Sequence, residues 1–322
     1  MDLSIIIVNW KSVRFLKKCL GSILKHTSGL DYEIIVIDAG SFDGCGEMLK
    51  CNFQGIRFIQ SVENLGFARA NNQASKLATG SCLLFLNPDT ELTGPAINIL
   101  FETLKNLPQA GVLGAKLFNA DGTIQMCCVQ SFPNLLNQFL DSEFLRRRFP
   151  NSRLWGNSSL LRDKEGASPV DAVSGACMFM HKSTFESIGG FSEDYFMYSE
   201  DVDLCHKAAD AGVQNYCVTS ARIIHYGGGS SAQQSARQFA SVMLRESRWR
   251  YFKKTRGIAY AILFRTILLL AAVIRWSLVR LPLPGGSVEG RLARKTACEK
   301  WLAIAQWCVG SGLLSDSINC SE

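Results

Sequence analysis

The chain has 322 residues, 47% of them hydrophobic and 19% charged, which is ample apolar material for a large core and excludes a chain that is mostly disordered. Its net charge of +6 is uneven: residues 245–300 carry a net +10, while residues 1–244 sum to −2. A body that is not itself basic argues against a nucleic-acid partner, and a basic tail points to an anionic surface. The twelve cysteines are scattered, with no matched C-x-x-C pairs, so neither a zinc site nor a disulfide framework is expected. The opening MDLSIIIVNW has no basic leader and too short an apolar run for a signal peptide. The expected compartment is the cytosol, with thiols reduced.

Residues 3–10, LSIIIVNW, read as a strand buried on both faces. The next stretch, SVRFLKKCLGSILKHT, spaces Phe15, Leu16, Cys19, Leu20, Ile23 and Leu24 as a helix does. A second buried strand, in YEIIVIDAGSFDG, runs into Asp38, Gly40, Ser41, Asp43 and Gly44. A weaker helix over 46–51 leads to IRFIQS, and helix resumes after Gly66. SCLLFLNPDTEL forms a further strand that ends in Asn87-Pro88-Asp89. This alternation predicts an α/β fold with an open, mostly parallel sheet flanked by helices. Ligands of such sheets sit beyond the carboxyl ends of the strands, so Asp38, Asp43, Asn64 and Asp89 should converge on one crevice. Residues 133–168 are polar and suit a long loop or lid. The composition shifts at 245, where a domain boundary is expected.

Each candidate residue has a plain structural reading beside its functional one. Asp38 could cap a turn, or its carboxylate could accept hydrogen bonds from a nucleotide. Pro88 stops a strand and fixes a turn. Asp89 beside it could also ligate a hard cation, which often takes one carboxylate plus phosphate oxygens. A lone histidine is usually structural, but His225 precedes the glycine-rich GGGSS at a strand end, where a metal or phosphate contact fits. In FMYSEDVDLCHKAADAG, Glu200, Asp201 and Asp203 could start a solvated helix, or one could be a base at a cleft mouth. Asp203 and Lys207 lie four apart and suit an ion pair on the helix face.

Taken together, SIIIVNW, IIVIDAGSFDG, ENLGFARANN, LFLNPDT, VSGACMFMHKSTFESIGGFSEDYFMYSEDVDLCHKAADAG and IIHYGGGSS occur in that order over residues 3–231. The pattern resembles glycosyltransferase family 2, particularly its rhamnosyltransferase-like members. The resemblance implies a GT-A fold, a nucleotide-diphosphate-sugar donor, a divalent metal (Mg²⁺ or Mn²⁺) and inversion at the anomeric carbon. It assigns Asp38 and Asp43 to nucleotide contacts, and Asn64 and Gly66 to the following loop. Asp89 and His225 become the metal ligands, and Asp201 the base, with Glu200 supporting it. Asn9, Asn87 and Gly175 complete the expected substrate-contact set. Ala39 stands where Asn is usual, Asn87 at the first acid of the D-x-D motif, and Ala74 where Gly is common.

These readings predict a catalytic domain over 1–244 and a basic, apolar helical tail over 245–322. Residues 257–284 are long enough to span a bilayer, but Arg265 and Arg275 interrupt them. Each would cost roughly 2.5–3.5 kcal/mol at a bilayer centre. An interfacial tail on the cytoplasmic membrane face fits better, with apolar faces around Leu268–Ile274 and Trp301–Trp307; a hairpin packed on the catalytic domain is the alternative. The expected function is transfer of a sugar, from dTDP-rhamnose or a UDP-sugar, to a lipid-linked or polysaccharide acceptor. A sugar nucleotidyltransferase would need a glycine-rich basic loop after the first strand, where Asn9-Trp10-Lys11 stands. A dinucleotide oxidoreductase would need G-x-G-x-x-G there. A non-catalytic membrane scaffold would have no use for Asp38, Asp89, Asp201 and His225.

Overall fold

Apolar runs that no single helix face could bury form the centre of a sheet. In the computed structural model, residues 1–141, 143–149, 152, 154–155, 166–227, 234–281 and 288–310 are described. In chain order the first elements are β1 (Leu3–Asn9), α1 (Val13–His26), β2 (Tyr32–Asp38), α2 (Cys45–Asn52), β3 (Arg57–Gln60), α3 (Gly66–Ser75), β4 (Cys82–Leu86) and β5 (Thr90–Leu92). There follow α4 (Ala96–Asn106), β6 (Ala110–Phe118), β7 (Val129–Gln130), α5 (Leu135–Leu140), α6 (Glu143–Arg148), β8 (Ala167–Val170), β9 (Ala172–Val173) and β10 (Cys177–His181). The last are α7 (Lys182–Ser187), α8 (Glu200–Asp210), β11 (Gln214–His225), α9 (Gln234–Arg256), α10 (Ile258–Arg280) and α11 (Val288–Cys308).

Among the described residues the main sheet has nine strands, ordered β3-β2-β1-β4-β10-β6-β11-β5, with β8 beside β11. β3, β2, β1 and β4 are parallel, and β11 runs parallel to β6; β10 is antiparallel to both its neighbours. The expected mostly parallel α/β sheet is thus present, with antiparallel strands in its second half. Ile5, Ile6 and Ile7 of β1 and Leu83, Leu84 and Phe85 of β4 have no exposed surface, which is why both strands read as unbroken apolar runs. On α1, Leu16, Cys19, Leu20 and Ile23 are the buried stripe, spaced as one helix face requires.

The chain divides into two compact units, Met1–Phe132 with Ser142–Ser230, and Pro133–Asp141 with Ser231–Glu322. The boundary expected at 244/245 falls inside α9, which runs from Gln234 to Arg256 without interruption. The composition changes in mid-helix. The stretch expected to be a loop or lid contains α5 and α6 and contributes to both units. Its residues 156–165 lie outside the described residues, as do 228–231 of the glycine-rich run and 282–284 of the tail.

In the second unit α10 packs on α9 and α11 through Ala261, Phe264, Leu268, Ala271 and Ala272. Arg265 and Arg275 share that inward side. Arg265 donates to Trp307 O at 2.6 Å and stacks on the Trp307 ring; Arg275 donates to Phe139 O at 2.7 Å and stacks on Trp301. The two arginines that interrupt the apolar stretch thus have their guanidinium groups occupied inside the second unit. Ile258, Ile262, Leu263, Leu270, Val273, Ile274 and Leu278 are the exposed large apolar residues of α10. Leu268 and Trp307, expected on membrane-facing surfaces, are buried inside the unit.

Candidate active site

Three parallel strands end together, and their last residues start the site. Asn9 closes β1 opposite Asp38, the last residue of β2, and both are fully buried. Asn9 Nδ2 donates to Asp38 Oδ1 at 2.8 Å and to Asp43 Oδ1 at 3.1 Å. Asp38 also accepts from the Ser41 hydroxyl, from the Ser41 and Phe42 N–H groups at 3.1 and 3.0 Å, and from Gln60 Nε2 at 2.7 Å. Burial alone would raise its pKa, but the donations from Ser41, Gln60, Phe42 and Asn9 hold it below the usual carboxylate range. Asp38 therefore anchors the loop after β2. Asp43, partly exposed in that loop, accepts through its other oxygen from Val13 N–H at 3.0 Å, at the start of α1. Gly40, at φ +72°, lets the loop lie against the backbone after β3: a Cβ there would fall 2.6 Å from the Glu63 carbonyl carbon.

The metal candidates meet where β5 pairs with the end of β11. His225 is the register partner of Thr90, and Tyr226 N–H donates to Asp89 O at 2.9 Å. Asp89 Oδ1 then lies 3.2 Å from His225 Nε2, and Asn87 Nδ2 lies 3.4 Å from the same nitrogen. Neighbouring ligands of an octahedral ion at about 2.1 Å sit about 3 Å apart, so a carboxylate and an imidazole at this separation suit a small divalent cation. Among the described residues no third His, Cys, Asp or Glu joins them. That leaves positions for phosphate and water oxygens, the usual habit of Mg²⁺.

The base candidates sit at the start of α8. Tyr198 and Ser199 precede it with φ of 66° and 68°, two successive non-glycine residues in the left-handed region. Such backbone costs on the order of 1–3 kcal/mol per residue and gathers at functional sites. The three carboxylates have different surroundings. Asp203 is buried and accepts from the Ser192 hydroxyl and from Tyr195 OH at 3.1 Å. Glu200 is buried and Tyr198 lies close to it, the tyrosine's pKa being raised by burial and by that carboxylate. Asp201 alone is partly exposed, accepting from Gly175 N–H at 3.0 Å through Oδ2 and from Val202 N–H at 2.8 Å through Oδ1. Lys207 Nζ donates to Gly190 O.

One short segment ties the two ends of the site together. Asn87 N–H donates to Ala176 O at 3.0 Å, and the neighbouring Gly175 holds Asp201. Asn64 Oδ1 accepts from Gly66 N–H at 3.0 Å, opening α3. Gly66 has φ +66°, and a Cβ there would fall 2.4 Å from Phe196 O, so the segment entering α8 rests directly on α3. All the candidates named from sequence thus belong to the first unit. Ser41, Gln60 and Gln125, which complete these networks, were not among them. The Asp121-Gly122 pair, a turn signal, was the available pointer to Gln125.

A model described as "Glycosyl transferase family 2" matches residues 4–189. The chain belongs to that family. Its relatives include a mycobacterial N-acetylglucosaminyl-diphospho-decaprenol L-rhamnosyltransferase (Mycobacterium tuberculosis), 27% identical over 65% of this chain and 71% of the relative. The rhamnosyltransferase WbbL of Escherichia coli K12 is 26% identical over 78% of this chain and 93% of its own length. Among solved structures, a mannosyltransferase of Pyrobaculum calidifontis in complex with GDP-Man and Mn²⁺ aligns with all of this chain and 88% of its own, at TM-score 0.54 and 16% identity. That likeness shows the GT-A fold. The family 2 chain is accordingly a glycosyltransferase rather than a sugar nucleotidyltransferase.

Proposed function

We propose that this glycosyltransferase transfers a sugar with inversion from a nucleotide diphosphate, dTDP-rhamnose or a UDP-sugar, to a hydroxyl of a lipid-linked or polysaccharide acceptor. The observation that carries the reading is that Asp201, of the three acids that open α8, is both partly exposed and held by the segment that also holds Asn87. Asp201 takes the proton of the acceptor hydroxyl as its oxygen bonds to the anomeric carbon, and the bond from that carbon to the diphosphate oxygen breaks on the opposite face. Glu200 supports Asp201 within the motif. Asp43, Asn64, Gly66 and Gly175 line the donor side; Asn9 and Asp38 act by holding the nucleotide loop in shape.

Asp89 and His225 would hold Mg²⁺ or Mn²⁺, with Asn87 beside them. When bound, the cation supplies Lewis-acid neutralisation of the departing diphosphate. The mycobacterial relative is named for an N-acetylglucosaminyl-diphospho-decaprenol substrate, a sugar on a lipid diphosphate. Together with the exposed apolar side of α10 and the basic tail, it supports an acceptor at the cytoplasmic membrane face, with the second unit lying on anionic lipid. Donor binding by calorimetry tests the metal assignment. Asp89→Ala should abolish the metal-dependent part of affinity for dTDP-rhamnose and UDP-sugars; an unchanged affinity with Mn²⁺ present contradicts it.

A further inference from the structure

β6 runs parallel to β11, with Phe118 opposite Ile224, one residue before His225. Beyond Phe118 the chain reverses through a tight turn: Asn119 N–H donates to Thr123 O at 2.8 Å and Gly122 N–H to Asn119 O at 2.9 Å, with Gly122 at φ 80°. The return brings Gln125, only 9% exposed, against the end of β11. Its Nε2 donates to the backbone carbonyl of His225 at 2.6 Å and to Asn119 Oδ1 at 2.8 Å. A carbonyl can only accept, so this contact fixes which way the Gln125 amide points. Asn119 is fixed in turn, because its Nδ2 donates to Thr123 Oγ1 at 2.8 Å while that hydroxyl donates to Asp121 Oδ1 at 2.6 Å. Oε1 of Gln125 is left facing His225 Nδ1 at 2.9 Å. An amide oxygen has no proton to give, so Nδ1 must be the donor.

We propose that Gln125 is a positioning residue that keeps a proton on His225 Nδ1 and so leaves Nε2, the nitrogen beside Asp89, as the one that can ligate a cation. The proposal rests on the metal reading above and adds how the imidazole is made ready for a cation. Ligand histidines are oriented by the partner of their other nitrogen, and losing such a partner typically weakens metal affinity ~10–100-fold. Here the orienting group is supplied by a turn 100 residues away in sequence, and the same amide clamps the His225 backbone.

Two substitutions separate orientation of the ring from simple support of the chain. Gln125→Leu removes the acceptor at Nδ1 and both donations. Gln125→Glu keeps an acceptor at Nδ1 but cannot donate to His225 O or Asn119. Mn²⁺ uptake in the presence of dTDP, followed by the free-ion EPR signal, should weaken ~10–100-fold in the Leu variant and stay near the parent in the Glu variant. Equal weakening in both, or parent-like uptake in the Leu variant, overturns the proposal. A ¹⁵N spectrum of histidine-labelled, metal-free parent protein reads whether Nδ1 carries a proton without any metal. The His225 Nδ1 signal should be that of a protonated nitrogen; a bare Nδ1 overturns the proposal even where the Leu variant fails to fold. A parent protein that takes up no Mn²⁺ would instead overturn the metal reading, and the imidazole spectrum would still decide whether Nδ1 carries a proton.

Discussion

Asp201 and Asp203 lie two positions apart on α8, yet their side chains are put to different uses. Asp203 is enclosed by hydroxyl donors from Ser192 and Tyr195, while Asp201 is partly open and touches the segment that leads to Asn87. Asp203→Ala would leave those hydroxyls without their acceptor, and buried donors stranded in this way cost about 1–3 kcal/mol. The variant should therefore lower the melting temperature by several degrees while the folded fraction keeps its donor affinity; calorimetry of both quantities checks it. Asp38 makes a second residue-scale test. Its carboxyl is held below the ordinary range, so its contribution to stability is complete above the unfolded value of about 3.9 and is lost as pH falls through the lower folded value. Asp38→Asn should accordingly be less stable than the parent at neutral pH, and the gap should close in acid. A gap that is independent of pH contradicts this account. None of this difference among acids was visible in the sequence, where Glu200, Asp201 and Asp203 form one cluster of like charges.

At the scale of elements, β1, β2 and β4 were legible because each is a largely buried run followed by polar residues at the carboxyl end of the sheet. Asp38 after IIVI and Asn87-Pro88-Asp89 after LLFL could be read directly from that pattern. Gln125 could not, because its partner His225 reaches it only through the pairing of β6 with β11. The phase of α10 was hidden for a different reason. A helix that is apolar nearly all round carries no stripe to say which side faces inward, so Arg265 and Arg275 gave no sign that they point to Trp307, Trp301 and Phe139. Glycines offer an element-scale test. Gly66→Ala strains a left-handed position and presses on Phe196 O, so it should displace the segment entering α8 and reduce turnover as well as stability. Gly21→Ala, in α1 with nothing within 4 Å of the added Cβ, should stabilise by about 0.5–1 kcal/mol and leave transfer unchanged. Equal effects of the two substitutions on turnover would contradict the role given to Gly66.

The whole chain joins a family 2 catalytic unit to a helical unit, and the sequence located the second of these by charge rather than by its boundary. α10 is long and apolar enough to cross a membrane, and its exposed side includes Leu270, Ile274 and Leu278, all more than half exposed. With net +10 over residues 245–300, the proposed peripheral attachment makes a defined prediction. Basic residues near an anionic surface contribute roughly 1 kcal/mol each, screened by salt, while burial of the α10 side chains resists salt. Full-length protein should pellet with anionic vesicles better than with neutral ones, and alkaline carbonate should release it. Replacing Leu270, Ile274 and Leu278 by Glu should weaken binding at high salt. Resistance to carbonate would argue for a spanning helix instead, and equal binding to neutral vesicles would remove the role of the basic tail.

The central claim is that Asp201 is the proton acceptor in transfer, and the most direct measurement is single-turnover transfer by Asp201→Asn beside its donor affinity. The substitution keeps the shape of the side chain and one of its two acceptor oxygens, but not the capacity to take a proton. Donor affinity should be unchanged while the rate of transfer falls ~10²–10⁴-fold. A variant that retains more than about a tenth of parent turnover would contradict the assignment and shift the role to another group.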